Sequence, residues 1–317
     1  MEFLIEFKIS SDHDPFTQLS PSKFVAPDTQ SGELATSVAP DPVQIPFINT
    51  SHAGCKAAGQ ITAYATLILS AQYRTHVFLV LIFKKYYRLT RWDRGGAVVT
   101  APIYHVDDSY LLDFLIHFQH ADPQARGHDI TTCIPNKDEE SKARKLEELK
   151  DVASLISISI PDPSSPHKPS RYIVAAPCSR PDVPAGRWTR VSIAYDVNRE
   201  KRVLLKDSWR VLQPDILLEG EIYQLLHDHL VPNIPHCPLA ADIGEDCYHS
   251  SRTHEFVNKY GPPHPSAHLV PHRHYRLILD TIGRPLESFK CSSEFVTAIR
   301  DAIVGKFAVC YLLGNVT

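Results

Sequence analysis

Apolar residues recur at helical spacing between residues 56 and 72, at Ala58, Ile61, Ala65, Ile68 and Leu69, and predict a helix there. A continuous apolar run follows from Val77 to Phe83, whose length and β-branched and aromatic content predict a fully buried strand. Residues 87–92 read as another strand. Asp93-Arg94-Gly95-Gly96 supplies turn chemistry, and residues 97–100 read as the hairpin partner. Leu111, Leu112, Leu115, Ile116 and Phe118 place a second helix over 109–120. Between 136 and 156, Glu140 and Arg144 form an i,i+4 pair, and Leu146, Leu149, Val152 and Ile156 form one stripe. That pattern predicts a solvated amphipathic helix.

Residues 1–50 are expected to be a disordered segment, since 11–50 are rich in Ser, Pro, Asp and Thr. The Pro/Ser stretch at 161–169 reads as a linker and places a domain boundary. Beyond it come strands at 171–175, 190–195 and 202–205, a helix at 216–230 and a long polar insertion at 236–274. A strand at 276–279 and a helix at 295–307 complete the pattern. Antiparallel strands, then a helix, then a further strand and helix, make an α+β second domain.

With 43% hydrophobic residues among 317, the chain can bury one large core or two smaller ones. A net charge of -3 gives no general pull toward nucleic acid or an anionic membrane. None of the seven cysteines forms a C-x-x-C pair, which fits free thiols in a reducing compartment. The first ten residues lack the pattern of a signal peptide. Gln72, Arg74 and His76 interrupt the most apolar stretch, at 63–83, and argue against a membrane span. The expected location is cytoplasmic or nuclear.

Candidate chemistry centres on Lys206, which ends an apolar strand, and on Glu219 in the helix that follows. A strand lysine can hold the α- and β-phosphates of a nucleotide when a helix carboxylate keeps its ammonium in place. Glu219 fits the E-x-x-I register better than Glu221. There is no Walker A loop and no G-x-S-x-G. His254-Glu255-Phe256-Val257-Asn258 has Asn258 where a zinc protease needs its second histidine. His264, His268, His272 and His274 are spaced like metal ligands, but Pro262, Pro263, Pro265 and Pro271 deny a helix, so a solvated loop is expected. Trp92 is expected to pack inward from its hairpin, leaving Arg88, Arg91 and Arg94 solvated.

Several strings together resemble the fungal-type protein kinase family. They are Gly59-Gln60-Ile61-Thr62-Ala63-Tyr64-Ala65, the R-x-x-R-W-D-R-x-G-A-V-V string from Arg88 to Val99, and Gly127-His128-Asp129. Gly186-Arg187-Trp188-Thr189-Arg190, Lys206-Asp207-Ser208-Trp209-Arg210, Tyr275-Arg276-Leu277-Ile278-Leu279 and Gly283-Arg284-Pro285-Leu286 continue it. The resemblance spans roughly 56 to 305. It implies an α+β chain, with an accessory α/β domain at 51–160 and a kinase-like domain at 170–305. That domain would hold the small lobe, the hinge and the start of the large lobe, and 306–317 would be a divergent tail.

By this resemblance the ligands would be ATP and Mg2+. Lys206 would be the phosphate-contacting lysine and Glu219 its partner. Asp280 to Gly283, with Ile282 among them, would be the adenine-facing hinge. Between the first two kinase strands only Gly186 lets backbone approach phosphate closely, and no G-x-G occurs anywhere. After Asp280 nothing matches the H-R-D or D-F-G strings that position the acceptor hydroxyl and the metal. The expectation is therefore a Ser/Thr-type protein kinase relative, truncated before its catalytic loop and inactive in phosphoryl transfer. The alternative is a non-catalytic, pseudokinase-like module that binds an unknown protein partner.

Overall fold

Val77, Leu79, Val80 and Leu81 are fully buried, as a run apolar on both faces demands. They lie on β2 (His76–Ile82), which pairs in parallel with β1 (Leu4–Phe7) and antiparallel with β3 (Tyr86–Asp93). The last of these also pairs with β4 (Gly96–Val99) and β5 (Ile103–Tyr104). Helix α1 (His52–Ala71) starts where the Gly54 amide donates to Ser51 Oγ at 3.0 Å. It packs Ile61, Ala65, Ile68 and Leu69 into the core with Val77, Leu79 and Leu81. Phe114 and Phe118 of α2 (Tyr110–His120) meet Phe3 and Phe78 edge-on. The computed structural model describes residues 2–17, 47–106, 109–165, 168–177, 183–244, 249–260 and 269–314.

The disorder expected over 1–50 does not hold for its first part. Strand β1 is laddered to β2, and Asp14 is buried where Arg88 Nε and Tyr86 Oη each donate to its Oδ2 at 2.8 Å. A buried carboxylate paired in this way ties the segment to the sheet. Residues 18–46 lie outside the described residues. The same pair corrects the expectation of solvated arginines. Trp92 does pack inward, but Arg88 and Arg94 are each only 2% exposed.

The single helix expected over 136–156 is three elements. Helix α3 (Lys137–Ala143) opens with a capping box between Asn136 and Glu139. After it come α4 (Glu147–Lys150) and β7 (Leu155–Ile160); the short β6 (Thr132–Cys133) precedes them. The chain turns at Arg144, whose guanidinium accompanies Glu140 as expected but also donates to the Lys150 and Val152 carbonyls, both at 3.1 Å.

The remaining strands are β8 (Ser170–Ala175), β9 (Arg190–Asp196), β10 (Lys201–Val211), β11 (Leu239–Asp242) and β12 (His272–Leu279). Among the described residues they join β6 and β7 in one seven-stranded antiparallel sheet, in the order β11-β12-β10-β9-β8-β7-β6. The Pro/Ser stretch at 161–169 is therefore not a seam between domains. It connects β7 to β8, whose registers run from Leu155↔Ala175 to Ile160↔Ser170. Residues 236–274, expected as a polar insertion, supply β11, helix α6 (Thr253–Tyr260) and the start of β12.

Helix α5 (Glu219–Asp228) is inserted between β10 and β11, and α7 (Ser292–Gly314) follows β12. Strands β8 to β12 with α5 make the α+β, kinase-like small lobe. Side chains alternate along β10. Val203, Leu205, Asp207 and Trp209 point into the interior, and Trp209 joins Ile61 and Trp92 in the first sheet's core. Leu204, Lys206, Ser208 and Arg210 take the opposite face. No helix among the described residues is long and apolar enough to cross a membrane.

Candidate functional site

Lys206 sits on the outward face of β10, and Glu219 is the first residue of α5. The lysine Nζ donates to both carboxylate oxygens of Glu219, at 2.5 and 2.8 Å. Each side chain is about a quarter exposed (24% and 25%), so the pair faces solvent at a cleft rather than the core. Glu221 instead accepts from the Leu218 amide at 2.9 Å, which fixes the start of α5, so Glu219 and not Glu221 is the carboxylate that meets Lys206.

Gly220 makes this meeting possible, and sequence reasoning passed over it. A Cβ there would overlap Ala240 Cβ and lie 2.8 Å from Tyr275 Oη. The Gly220 amide donates to that same hydroxyl at 2.9 Å. Glycine lets the first turn of α5 press onto β11 and β12, and this brings Glu219 within reach of β10. The visible signal was a glycine between two glutamates at the start of a helix.

A cleft of about 410 Å3 opens at the pair, lined by Lys206, Glu219, Arg187, Ser208, Arg210 and Tyr275. Arg210 is held by Asp242 in a two-pronged pair, Nε to Oδ1 at 2.7 Å and Nη2 to Oδ2 at 2.6 Å. Gly186 lies in the connection before β9 with φ 98° and open space where a Cβ would stand. Its own amide donates to the Arg94 carbonyl at 2.8 Å and does not face the cleft as a free donor. Asp280 follows the last residue of β12, and the Leu204↔Leu279 register puts it near the start of β10. It is fixed to His236, whose carbonyl accepts from the Asp280 amide at 3.1 Å. Neither Asp280 nor Ile282 lines the cleft.

Behind Lys206, on the inward face, lies a charge network. Arg276 is fully buried. It donates to Asp207 Oδ2 at 3.1 Å, Asp129 Oδ2 at 2.5 Å and Thr131 Oγ1 at 2.6 Å. His274 Nε2 donates to Asp207 Oδ1 at 2.7 Å, and the His274 ring stacks on Trp209 with centroids 4.8 Å apart. Burial pushes the Asp129 carboxyl up, but Arg276, then His274 and His249, outweigh it and hold it at about 2. Asp207 is likewise opposed by burial and held far below the usual carboxylate range by His274 and Arg276. Burial pushes His249 down to about 4.

Asp129, His249 and His274 bring ligand-type atoms within 4.8 Å of one another. The Arg276 guanidinium already neutralises Asp129 there, and the Thr131 amide and hydroxyl occupy Asp129 Oδ1 at 2.9 and 2.5 Å. The arrangement is an ion-pair network that ties β10 and β12 to the Asp129–Thr131 segment. It also corrects one expectation: His274 is buried on β12, not in a solvated loop, and His272 shares the strand. His264 and His268 lie outside the described residues.

Comparison with curated proteins and with solved structures returns no match. The profile of the family described as fungal protein kinase matches residues 48–311. That span is most of the chain and holds the Lys206–Glu219 pair, the cleft and the Arg276 network. The chain belongs to the fungal protein kinase family.

Proposed function

We propose that the cleft beside Lys206 binds the phosphate end of ATP, accompanied by Mg2+. The observation that carries this is the two-pronged contact of Lys206 with Glu219, at 2.5 and 2.8 Å, at the cleft. A lysine ammonium is a mobile point charge, and a carboxylate gripping it from a helix fixes where it meets phosphate oxygens. Asp280 to Gly283, leaving the end of β12, would carry the adenine-facing backbone. The 317 residues hold no H-R-D or D-F-G string after Asp280. Positioning and charge neutralisation supply nearly all of phosphoryl-transfer catalysis, so the chain described here is proposed to bind nucleotide without transferring the γ-phosphate.

Thermal unfolding with and without Mg-ATP tests this. A ligand at one hundred times its Kd that binds only the folded state adds about 2.7 kcal/mol. A rise in melting temperature that Lys206→Ala abolishes is expected. No rise at millimolar ATP overturns the nucleotide reading, and a rise that survives in the variant overturns the lysine assignment. No transfer of labelled γ-phosphate is expected; detectable transfer would defeat the inactive reading, and transfer insensitive to Lys206→Ala would also defeat the lysine assignment. A second reading, a protein-binding module, is favoured by the apolar residues exposed along α7, among them Val296 at 62% and Phe307 at 70%. A V296E/F307E double variant that leaves self-association and partner capture unchanged would remove it.

A further inference from the structure

The connection between β8 and β9 lacks the paired glycines that wrap phosphate in kinases, and the amide of its Gly186 is engaged with Arg94. Its next residue is Arg187, which is exposed and lines the cleft with Lys206. Three cations border this cleft. Glu219 grips Lys206, and Asp242 grips Arg210. Among the described residues, no hydrogen bond or ion pair engages the Arg187 guanidinium. The cleft therefore presents one uncompensated positive charge, on a planar fork suited to phosphate oxygens.

The residues on either side of Arg187 are fixed. Trp188 is only 8% exposed, and its backbone is left-handed at φ 35°. A bulky residue holds such a φ only where its surroundings over-determine it. Here they do: the Arg94 guanidinium lies 3.1 Å from the Trp188 ring centroid, and the Arg190 guanidinium lies 5.4 Å from it. Arg94 also donates to the Pro184 carbonyl at 3.0 Å and accepts the Gly186 amide at 2.8 Å. The Trp209 amide, continuing β10, donates to the Arg187 carbonyl at 2.7 Å. Arg94 belongs to the turn joining β3 to β4, so the first sheet holds the connection in place.

We propose that Arg187 is a phosphate-contacting residue of this cleft, pre-positioned by the Arg94–Trp188 stack, and that its charge does what glycine-loop amides do elsewhere. The inference rests on the nucleotide reading above. A clamped backbone leaves only the arginine side chain to order on binding, which lowers the cost of the contact.

Calorimetric titration of the full chain with Mg-ATP tests it, with Lys206→Ala, Arg187→Ala and Arg187→Lys in parallel. The ligand-free melting temperature of each variant checks that it folds. Loss of one charge-assisted contact should weaken ATP about ten- to hundredfold in Arg187→Ala. Arg187→Lys, keeping the charge, should recover part of that loss, and the ligand-free melting temperature should stay unchanged because the side chain is exposed. Unchanged ATP affinity in Arg187→Ala, while Lys206→Ala abolishes binding, overturns the inference and leaves the nucleotide reading standing. Equal losses in Arg187→Ala and Arg187→Lys overturn it too, because charge would not be the cause. No ATP binding by the unaltered chain overturns both.

Discussion

Replacing Arg276 with methionine keeps much of the side-chain bulk and deletes the one guanidinium that joins Asp129 to Asp207. The change removes hydrogen bonds to Asp207, Thr131 and Asp129, plus a longer one to the Ser159 carbonyl at 3.3 Å. Asp129 then loses its main cation, and Asp207 keeps His274 but loses its second one. Holding Asp129 at about 2, against an ordinary value near 3.9, is worth about 2–3 kcal/mol for that residue alone. Asp207 is shifted in the same direction, so the expected loss is about 3–5 kcal/mol at pH 7, the usual cost of stranding a buried charge. The sign follows from depressed native values: the stabilisation is present above about pH 4, Asp129's share disappears as pH falls through about 2, and Asp207's share is lost at still lower pH. Urea unfolding at several pH values measures the gap between parent and Arg276→Met. The gap should be full at pH 7 and shrink below pH 4. Removing both charges as well, in R276M/D129N/D207N, should recover part of the loss. A gap under about 1 kcal/mol at pH 7, or one that does not change between pH 6 and pH 3, would refute the reasoning.

Asp14→Ala should cost about 3–5 kcal/mol, because it strands the buried Arg88, and should make residues 2–17 a preferred site of limited proteolysis. An unchanged digestion pattern would show that this pair does not tie the segment down. Gly220→Ala should destabilise by about 1–3 kcal/mol through overlap with Ala240 and Tyr275, despite alanine's better helix propensity. It should also reduce the ATP-dependent rise in melting temperature by displacing Glu219, and a more stable Gly220→Ala protein would contradict the close approach of α5.

Local signals carried the elements whose partners are near in sequence. The β3–β4 hairpin was legible from its turn residues, and the Lys206–Glu219 pairing from a strand lysine followed by a helix glutamate, although Lys206 lies in the middle of β10 and not at its end. The strand at Leu155–Ile160 was missed although its alternation of Ile and Ser is plain, because Leu146, Leu149, Val152 and Ile156 also fit a helical stripe. Periodicity cannot choose between two templates that share residues; the Arg144 contacts to later carbonyls choose, and those exist only once the chain has turned. Strand β1 was hidden for a related reason, since its ladder to β2 joins residues more than seventy positions apart. The motif strings drew attention to Asp129, Asp207, Trp188 and Arg276, but not to their convergence. Mutual burial is a property of the folded pair and not of either string.

The unbroken run of strands from β6 to β11 bears on how the polypeptide can be cut. A fragment beginning at Ser170 would emerge with β8 as a bare margin, its amides and carbonyls open to any passing chain. It would also strip Arg276 of Asp129, and Trp209 of the first sheet's core around Ile61 and Trp92. Such a fragment is expected to aggregate when expressed alone. Supplying residues 2–165 in trans should rescue its solubility, as the half that leaves the ribosome first serves as a template for the half that follows.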